Sequence, residues 1–121
     1  MKLEGKKVLV TGGTGMIGNE VVDQLVSKGA SVKVVSIEDK ARLSHDVEYE
    51  KLDLRDFESC KKACQGMDVV FSMVGVKGSP AMAKERPASF FVPMLQFDTN
   101  IMEAARLADV GWFMYTSSVG V

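Results

Sequence analysis

The sequence is poor in the side chains that build metal sites. It contains one histidine, His45, and two cysteines, Cys60 and Cys64, which lie four positions apart and do not form a Cys-x-x-Cys motif. A zinc site would be short of ligands with this set. We therefore expect no metal, and two ordinary thiols in a reducing compartment.

The sequence also lacks a strong net charge and a long apolar run. Its formal net charge is −1 at pH 7, which gives no reason to expect nucleic acid or an anionic membrane as a partner. No apolar run reaches the ~18 residues of a membrane span, and Met1-Lys2-Leu3-Glu4 does not begin a signal peptide. We expect a cytoplasmic protein.

Glycine, by contrast, is concentrated near the amino terminus. The apolar run Val8–Val10 leads into Thr11-Gly12-Gly13-Thr14-Gly15-Met16-Ile17-Gly18, and an amphipathic segment follows. A strand that ends in closely spaced glycines and passes into a helix presents backbone N–H groups to a diphosphate. The alternative is a glycine-rich turn without a ligand. Asn19 and Glu20 stand where a nucleoside-triphosphate loop would carry Lys-Ser/Thr, so ATP and GTP are disfavoured.

Each part of this motif has an expected role toward a dinucleotide. Gly12 and Gly15 let the chain turn sharply and a pyrophosphate come close, whereas Gly18 lets the helix pack against its strand. Met16 and Ile17 begin the helix, whose first turn offers unpaired N–H groups and the positive end of its dipole. Ile17 also begins an apolar stripe that continues through residues 21, 22, 25 and 26.

The rest of the chain alternates between strand and helix patterns. Strands are predicted at Lys6–Thr11, Ser31–Ile37, Glu48–Leu52, Val69–Val74 and Trp112–Thr116, and helices at Met16–Lys28, Phe57–Cys64 and Ala88–Ala108. This alternation predicts one α/β domain with a parallel sheet and helices on both faces. Right-handed crossovers favour the strand order 3-2-1-4-5.

Single residues mark several ends of these elements. Gly29 is expected to stop the first helix and Gly66 the second. Asp56 is expected to cap the start of the second helix with its side chain. Pro93 must lie near the start of the third helix or kink it. The segment 75–87 is predicted to be a long loop, and loops of that length are often functional.

Several of these segments together resemble the extended short-chain dehydrogenase/reductase family, which includes the nucleotide-sugar epimerases, dehydratases and reductases. The glycine motif is similar to the family's TGxxGxxG. Three further segments match: Asp53-Leu54 its adenine-contacting pair, Val69–Gly75 its apolar strand followed by small residues, and Met114-Tyr115-Thr116-Ser117-Ser118 its fifth strand ending in a Ser/Thr run. The resemblance covers essentially all 121 residues. It implies a Rossmann-type doubly wound sheet that binds NAD or NADP.

A narrower likeness concerns the segment Arg86–Phe91 and its spacing to Asn100 and Ala104-Ala105. This spacing resembles the GDP-sugar epimerase-reductases of the GDP-fucose synthase type more than the UDP-galactose epimerases. Lys77-Gly78-Ser79 would then occupy the loop that carries two glycines in those enzymes.

The resemblance also implies contacts along a bound cofactor. Asp53 would accept a hydrogen bond from the adenine amino group, beside the backbone of Leu54. The alternative for Asp53 is an aspartate that only forms a turn. Met73, Val74 and Gly75 would line the channel for the pyrophosphate and the nicotinamide ribose, mainly through their backbone.

The end of the second strand leaves the choice between NAD and NADP open. An acidic side chain there would favour NAD, because it accepts the ribose 2′-hydroxyl. The strand tip falls on Ser36, with Glu38 two positions later and Lys40 and Arg42 beyond. Ser36 with the nearby cations favours NADP slightly, whereas a longer strand would bring Glu38 into position for NAD.

The chain matches the family least completely in its catalytic residues. Ser118 matches the last Ser/Thr of the family's run, which implies a hydrogen bond to the reacting oxygen of a sugar; the alternative is a serine that satisfies local backbone groups. The family's Tyr-x-x-x-Lys pair is missing, since Tyr49 is followed by Asp53 and Tyr115 by Val119. The cofactor-facing asparagine of the third helix falls on Met94, and Asn100 matches a second, structural asparagine.

These observations predict the cofactor-binding half of an NAD(P)-dependent nucleotide-sugar epimerase, dehydratase or reductase, truncated before the catalytic and sugar-binding part. The alternative is a non-catalytic Rossmann module that senses NAD(P)H or docks a partner. The fifth strand leaves an apolar edge with Trp112 and Met114, and the family commonly dimerises through its third helix. We therefore expect a homo-oligomer.

Overall fold

A computed structural model of the chain describes residues 2–38, 43, 47–74 and 84–116, without the side chain of Phe90. Within these ranges, strands and helices alternate as predicted. They are β1 (Lys7–Thr11), α1 (Met16–Ser27), β2 (Ser31–Ser36), β3 (Glu48–Lys51), α2 (Phe57–Cys64), β4 (Val69–Ser72), α3 (Pro87–Leu107) and β5 (Trp112–Tyr115).

The five strands form one parallel sheet in the order β3-β2-β1-β4-β5, which confirms the predicted topology. At its centre, Val10 of β1 pairs with Val34 of β2 on one side and with Phe71 of β4 on the other. The strands after β1 therefore first extend the sheet in one direction and then in the other. The carboxyl ends of β1 and β4 meet at this switch point, where open α/β sheets bind their ligands.

Alternate residues of the central strands supply two separate apolar cores. Val8 and Val10 face α1 and pack with Val22 and Leu25 of that helix. Leu9, between them, faces the opposite side and packs in one cluster with residues of α2 and α3. The period of two in a strand thus places helices on both faces of the sheet.

The ends of the helices are set by backbone conformation. Gly29 follows α1 with a φ of 82°, and Ala30 N–H donates to the Leu25 carbonyl at 3.1 Å, which forms a Schellman motif. Gly66 follows α2 with a φ of 75°, as expected for a helix stop. The same motif ends α3, but there Asp109 takes the left-handed conformation, with a φ of 56°. The sequence pattern did not predict that use of an aspartate.

Three details differ from the sequence-based expectations. Ile17 is not part of the buried stripe of α1, because its side chain is 65% exposed beside the glycine loop. Asp56 precedes α2, but its carboxylate accepts the Ser59 hydroxyl at 2.9 Å and no backbone N–H of the helix. The third helix starts at Pro87, one residue before its predicted start, so Pro93 is its seventh residue.

Strand ends also fall short of their predicted limits by one or two residues. Thus β2 stops at Ser36, β4 at Ser72 and β5 at Tyr115. The residues that follow these strands line or approach the edge of the sheet and do not continue its ladder. Within the described ranges, none of the helices combines the length and the apolar character that a bilayer crossing requires.

Candidate functional site

A cavity of about 640 Å³ lies at the carboxyl edge of the sheet, above the switch point. Its walls come from the glycine loop after β1, residues 36–38 at the end of β2, residues 52–55 after β3, residues 73–74 after β4, and Pro93 and Phe97 of α3. Ten of the eleven predicted cofactor contacts line this wall. The eleventh, Gly75, and the predicted catalytic Ser118 lie outside the described residues.

The glycines of the loop serve two different purposes. A Cβ on Gly12 would lie 2.9 Å from the backbone of Val74, and a Cβ on Gly18 would press against the carbonyl group of Gly12. Both glycines therefore allow close packing of backbone on backbone. Gly15 differs, because the nearest atom to its Cβ position is the Gly12 carbonyl oxygen at 3.5 Å. A side chain at Gly15 would meet open cavity.

The amino end of α1 faces this cavity. Gly15 precedes the helix and donates its own N–H to the Gly12 carbonyl at 3.1 Å, without capping α1 through a side chain. The N–H groups of Met16, Ile17 and Gly18 have no acceptor within the helix, since they belong to its first turn. Together with the helix dipole they form a site for an anion. The exposed side chain of Met16 borders the same opening.

Two buried hydroxyl groups tie the glycine loop to the end of β2. The Oγ1 of Thr14 and the Oγ of Ser36 lie 3.0 Å apart, and both residues are less than one-tenth exposed. Ser36 Oγ also accepts the backbone N–H of Glu38 at 3.0 Å. The strand tip therefore falls on Ser36, as predicted, and its hydroxyl is engaged in structure. Lys40, Arg42 and His45 lie outside the described residues.

The turn after β3 places Asp53 on the cavity wall. Asp56 N–H donates to the Asp53 carbonyl at 3.1 Å, and Arg55 N–H donates to Asp53 Oδ1 at 3.0 Å. Asp53 therefore forms the turn and also lines the cavity. Hydrogen bonds from the Arg55 guanidinium hold the pKa of the Asp53 carboxyl below its usual value, so Asp53 is a carboxylate at neutral pH.

The side chain of Asn100, in α3, is hydrogen-bonded to the backbone of this turn. Its side-chain amide donates to the carbonyl of Leu54 at 3.2 Å and to that of Arg55 at 3.0 Å. The Leu54 carbonyl also accepts the thiol of Cys60 at 3.2 Å. The structural role predicted for Asn100 is confirmed, and Leu54 is a buried residue whose backbone is fixed from two helices.

The backbone after β4 passes close to the glycine loop. Met73 N–H donates to the carbonyl and to the side-chain hydroxyl of Thr11, both at 3.1 Å. Because Gly12 lies against Val74, these two segments form one continuous floor for the cavity. Met73 and Val74 both line the cavity.

Tyr115, at the end of β5, does not have the surroundings that would activate a tyrosine as a general base. Its hydroxyl donates to Asp98 Oδ2 of α3 at 2.9 Å. This hydrogen bond raises the pKa of the Tyr115 phenol, and burial raises the pKa of the Asp98 carboxyl. A general base needs the opposite shift of the phenol pKa. The geometry agrees with the absence of a lysine four positions after Tyr115.

Both cysteines are buried free thiols in α2. Burial raises the pKa of Cys60 to about 12 and that of Cys64 to about 11. Thiolates, the reactive and metal-binding form, are therefore scarce at neutral pH. Among the described residues, no group of three or more His, Cys, Asp and Glu side chains is arranged to hold a metal ion.

A second cavity, of about 360 Å³, opens at the opposite, amino edge of the sheet. Lys7, Lys33 and Lys62 contribute to its wall. Glu50 bonds the ammonium group of Lys33 at 3.0 Å and that of Lys62 at 2.7 Å, so these cations serve an internal ion-pair network. This cavity has no glycine loop and no helix amino end.

Sequence reasoning did not single out two residues of the cavity wall, Thr14 and Arg55, or the neighbouring core glycine, Gly13. Gly13 packs into the core, where a Cβ would lie 2.8 Å from Val34. Thr14 pairs with Ser36 across the loop, and Arg55 binds Asp53. The Asp-x-Arg spacing is a signal in the sequence that could have identified Arg55. The Thr14–Ser36 pair joins residues 22 positions apart and has no local signature.

Comparison with known proteins identifies the family of the chain. A sequence model described as the NAD dependent epimerase/dehydratase family matches residues 8–121. The chain belongs to this family. GDP-mannose 3,5-epimerase 1 of Oryza sativa subsp. japonica is 26% identical over 118 residues, covering 95% of this chain and 31% of that protein. A 3 beta-hydroxysteroid dehydrogenase/Delta 5-->4-isomerase of Mycobacterium tuberculosis is 29% identical over 119 residues, covering 95% of this chain and 32% of that protein.

Solved structures of the family have the same fold. The UDP-glucose 4-epimerase of Thermus thermophilus in complex with NAD superimposes with a TM-score of 0.82 at 28% identity, covering 93% of this chain and 37% of that one. The epimerase Mth375 of Methanothermobacter thermautotrophicus gives 0.85 at 27% identity, covering 97% and 36%. The family and such neighbours support NAD or NADP as the cofactor. The chain spans about a third of the length of the curated relatives it matches.

Proposed function

We propose that this chain is the NAD(P)-binding part of an epimerase, dehydratase or reductase that acts on nucleotide sugars. The observation that carries the proposal is the open space at Gly15, in front of the first-turn N–H groups of α1. An anionic diphosphate fits there because it gains hydrogen bonds and the favourable end of the helix dipole. The glycine positions that surround it permit the close approach.

The adenine would lie at the end of the cavity formed by the turn after β3. Asp53 has an ionised carboxylate, which only accepts hydrogen bonds and so suits the amino group at C6 of adenine. Leu54 supplies an ordered backbone beside it, since Asn100 and Cys60 both bond its carbonyl. The nicotinamide half would extend in the other direction, over Met73, Val74 and Gly75.

The adenosine ribose would face Ser36 and Glu38, which line the cavity between these two ends. Ser36 Oγ is already paired with Thr14 and with the N–H of Glu38, which weakens the sequence-based preference for NADP. A carboxylate at Glu38 accepts a 2′-hydroxyl and repels a 2′-phosphate. We therefore propose NAD as the preferred cofactor.

For catalysis we propose Ser118 as the residue that orients the reacting oxygen of the sugar. The support is its place two positions after Thr116, whose hydroxyl donates to the Ser72 carbonyl at 3.4 Å at the cavity edge of the sheet. Proton transfer would use a group outside these 121 residues, since the phenol pKa of Tyr115 is raised and the chain spans about a third of its relatives. The GDP-sugar subfamily is a proposal that rests on the Arg86–Phe91 spacing.

Titration calorimetry of the purified protein tests the cofactor proposal. We expect heat of binding with NAD, weaker binding with NADP, and none with GTP. Equal or tighter binding of NADP would contradict the assignment of Glu38. No binding of either dinucleotide would contradict the proposed function.

A complete coding sequence separates the enzyme from a non-catalytic module. A reading frame that continues into a Tyr-x-x-x-Lys motif supports the epimerase, dehydratase or reductase. A frame that lacks the motif, in a chain that binds NAD tightly, supports a module that senses the cofactor.

A further inference from the structure

The carboxylate of Asp53 accepts hydrogen bonds from three N–H groups of its neighbour Arg55. Its Oδ1 accepts the backbone N–H of Arg55 and the guanidinium Nε, both at 3.0 Å. Its Oδ2 accepts Nε at 3.1 Å and Nη2 at 2.6 Å. In the free chain, Arg55 thus bonds both oxygens of the carboxylate that would accept the adenine amino hydrogen.

The pair lies where a base would lie, and it is open to solvent. Arg55 and Asp53 both line the main cavity. Their side chains are 55% and 42% exposed, so the ion pair is screened by water and weak. The backbone of Arg55 is held by other contacts, since Asn100 bonds its carbonyl. The guanidinium can leave Asp53 without disturbing the turn.

We propose that Arg55 determines which purine this site prefers, because it must release Asp53 before the carboxylate can accept an amino group at C6 of the base. The proposal rests on the proposed function of the cavity as a dinucleotide site. When adenine binds, Asp53 would lose the hydrogen bonds from the Arg55 guanidinium. It would gain one from the amino group of the base.

A 6-oxo purine would meet the same pair differently. Its C6 oxygen accepts a hydrogen bond from one of the guanidinium N–H groups that Asp53 does not use. Such a base uses Arg55 in place and does not have to displace it. The Arg55–Asp53 pair therefore makes the difference in affinity between adenine and hypoxanthine smaller. At an aspartate without the arginine, this difference would be larger.

Calorimetry with two dinucleotides tests this inference on the purified protein. NAD carries adenine, and nicotinamide hypoxanthine dinucleotide carries the 6-oxo base. We expect Arg55→Ala to bind NAD about two- to fivefold more tightly than the unchanged protein, which is the range that an exposed ion pair allows. The same variant should bind the hypoxanthine dinucleotide more weakly, because the donor to its C6 oxygen is gone.

Arg106→Ala is the matched control. Arg106 forms a similar fork on Glu103 in α3, with Nε at 3.0 Å, and it does not line the cavity. Its removal changes the net charge equally and should leave both affinities unchanged. Circular dichroism verifies the fold, and Arg55→Gln replaces Arg55→Ala if the latter unfolds.

The outcomes separate this inference from the proposed function. NAD binding by the unchanged protein, with tighter binding by Arg55→Ala and a larger preference for adenine, supports the role of Arg55. Equal or weaker NAD binding by Arg55→Ala, or an unchanged preference, overturns it while leaving the proposed function standing. A protein that binds neither dinucleotide overturns both.

Discussion

Gly15 precedes α1 and Gly18 lies three residues later in its first turn, yet the two glycines have opposite surroundings. Among the described residues other than its chain neighbours, one atom lies within 4 Å of the Cβ position of Gly15, the Gly12 carbonyl oxygen at 3.5 Å, whereas the Cβ position of Gly18 is blocked by the backbone of Gly12 and Gly13. One glycine therefore keeps space for a ligand, and the other keeps the helix against the loop. The two positions provide a direct comparison of binding and folding.

Gly15→Val is expected to abolish dinucleotide binding while the fold is kept. The backbone of Gly15 has a φ of −75°, which any residue adopts, and the branched side chain fills the space proposed for the pyrophosphate. Calorimetry with NAD and circular dichroism measure the two effects. Gly18→Ala is the control and should instead lower the free energy of unfolding, by about 1–3 kcal/mol. Unchanged NAD affinity in Gly15→Val would contradict a dinucleotide at this loop.

Asn100→Ala is expected to destabilise the chain and to weaken cofactor binding together. The variant loses the hydrogen bonds to the carbonyls of Leu54 and Arg55, which hold the turn at the proposed adenine end. Loss of partners at partly buried groups costs about 1–3 kcal/mol. Urea unfolding and calorimetry measure both effects. Thr99→Ala, which removes only a bond to the Leu95 carbonyl within α3, should leave NAD affinity unchanged.

The two thiols should make the folded chain less stable at high pH. The pKa values of Cys60 and Cys64 are raised from 9.0 to about 12 and about 11, so the unfolded chain loses these protons first. Their contribution is fully present below pH 9 and is lost as the pH rises toward 11–12. Urea unfolding across this range, compared with a Cys60→Ala/Cys64→Ala variant, measures the difference.

The same burial should protect both thiols from reagents. In the native chain at pH 8, we expect a disulfide reagent such as Ellman's to react only at the rate of unfolding. Rapid modification of the native chain would show that α2 opens far more readily than its packing indicates.

We expect this chain to have no turnover with any nucleotide sugar by itself. It has no Tyr-x-x-x-Lys pair, and the hydrogen bond to Asp98 raises the pKa of Tyr115. The loss of general acid–base catalysis alone is worth about 10²–10⁴-fold. Chromatography of GDP- and UDP-sugars incubated with the purified chain and NAD checks this. Reproducible, NAD-dependent epimerisation would contradict it.

The chain is expected to associate through its exposed apolar surface. Trp112 and Met114 of the β5 edge strand are 62% and 41% exposed, and Phe91 and Leu95 are exposed on α3. An apolar strand edge is a template for pairing with another chain. Light scattering at tens of micromolar should show dimers or larger species. If the strand edge forms the contact, Trp112→Lys should lower the mass of these species. If the unchanged chain is a monomer, neither the strand edge nor α3 is a contact surface between copies.

Local sequence signals predicted most of the fold, because they depend on neighbouring residues. The glycine motif, the alternation of apolar runs with helical patterns, and the stops at Gly29 and Gly66 gave every element and the strand order. The same signals placed Gly12, Gly15 and Asp53 on the cavity wall. They did not predict the aspartate at the end of α3, because aspartate adopts the left-handed conformation of Asp109 much less often than glycine does.

Only the tertiary structure decided how the residues of the cavity are used. The Thr14–Ser36 pair, the close approach of Gly12 to Val74, and the hold of Asn100 on Leu54 join segments that are far apart in the sequence. Ile17 fits an apolar stripe by its spacing, but its side chain is exposed at the cavity. The sequence thus determined the family and the type of site. The occupancy of Asp53 by Arg55 was decided by the turn, which brings two side chains of opposite charge onto one wall.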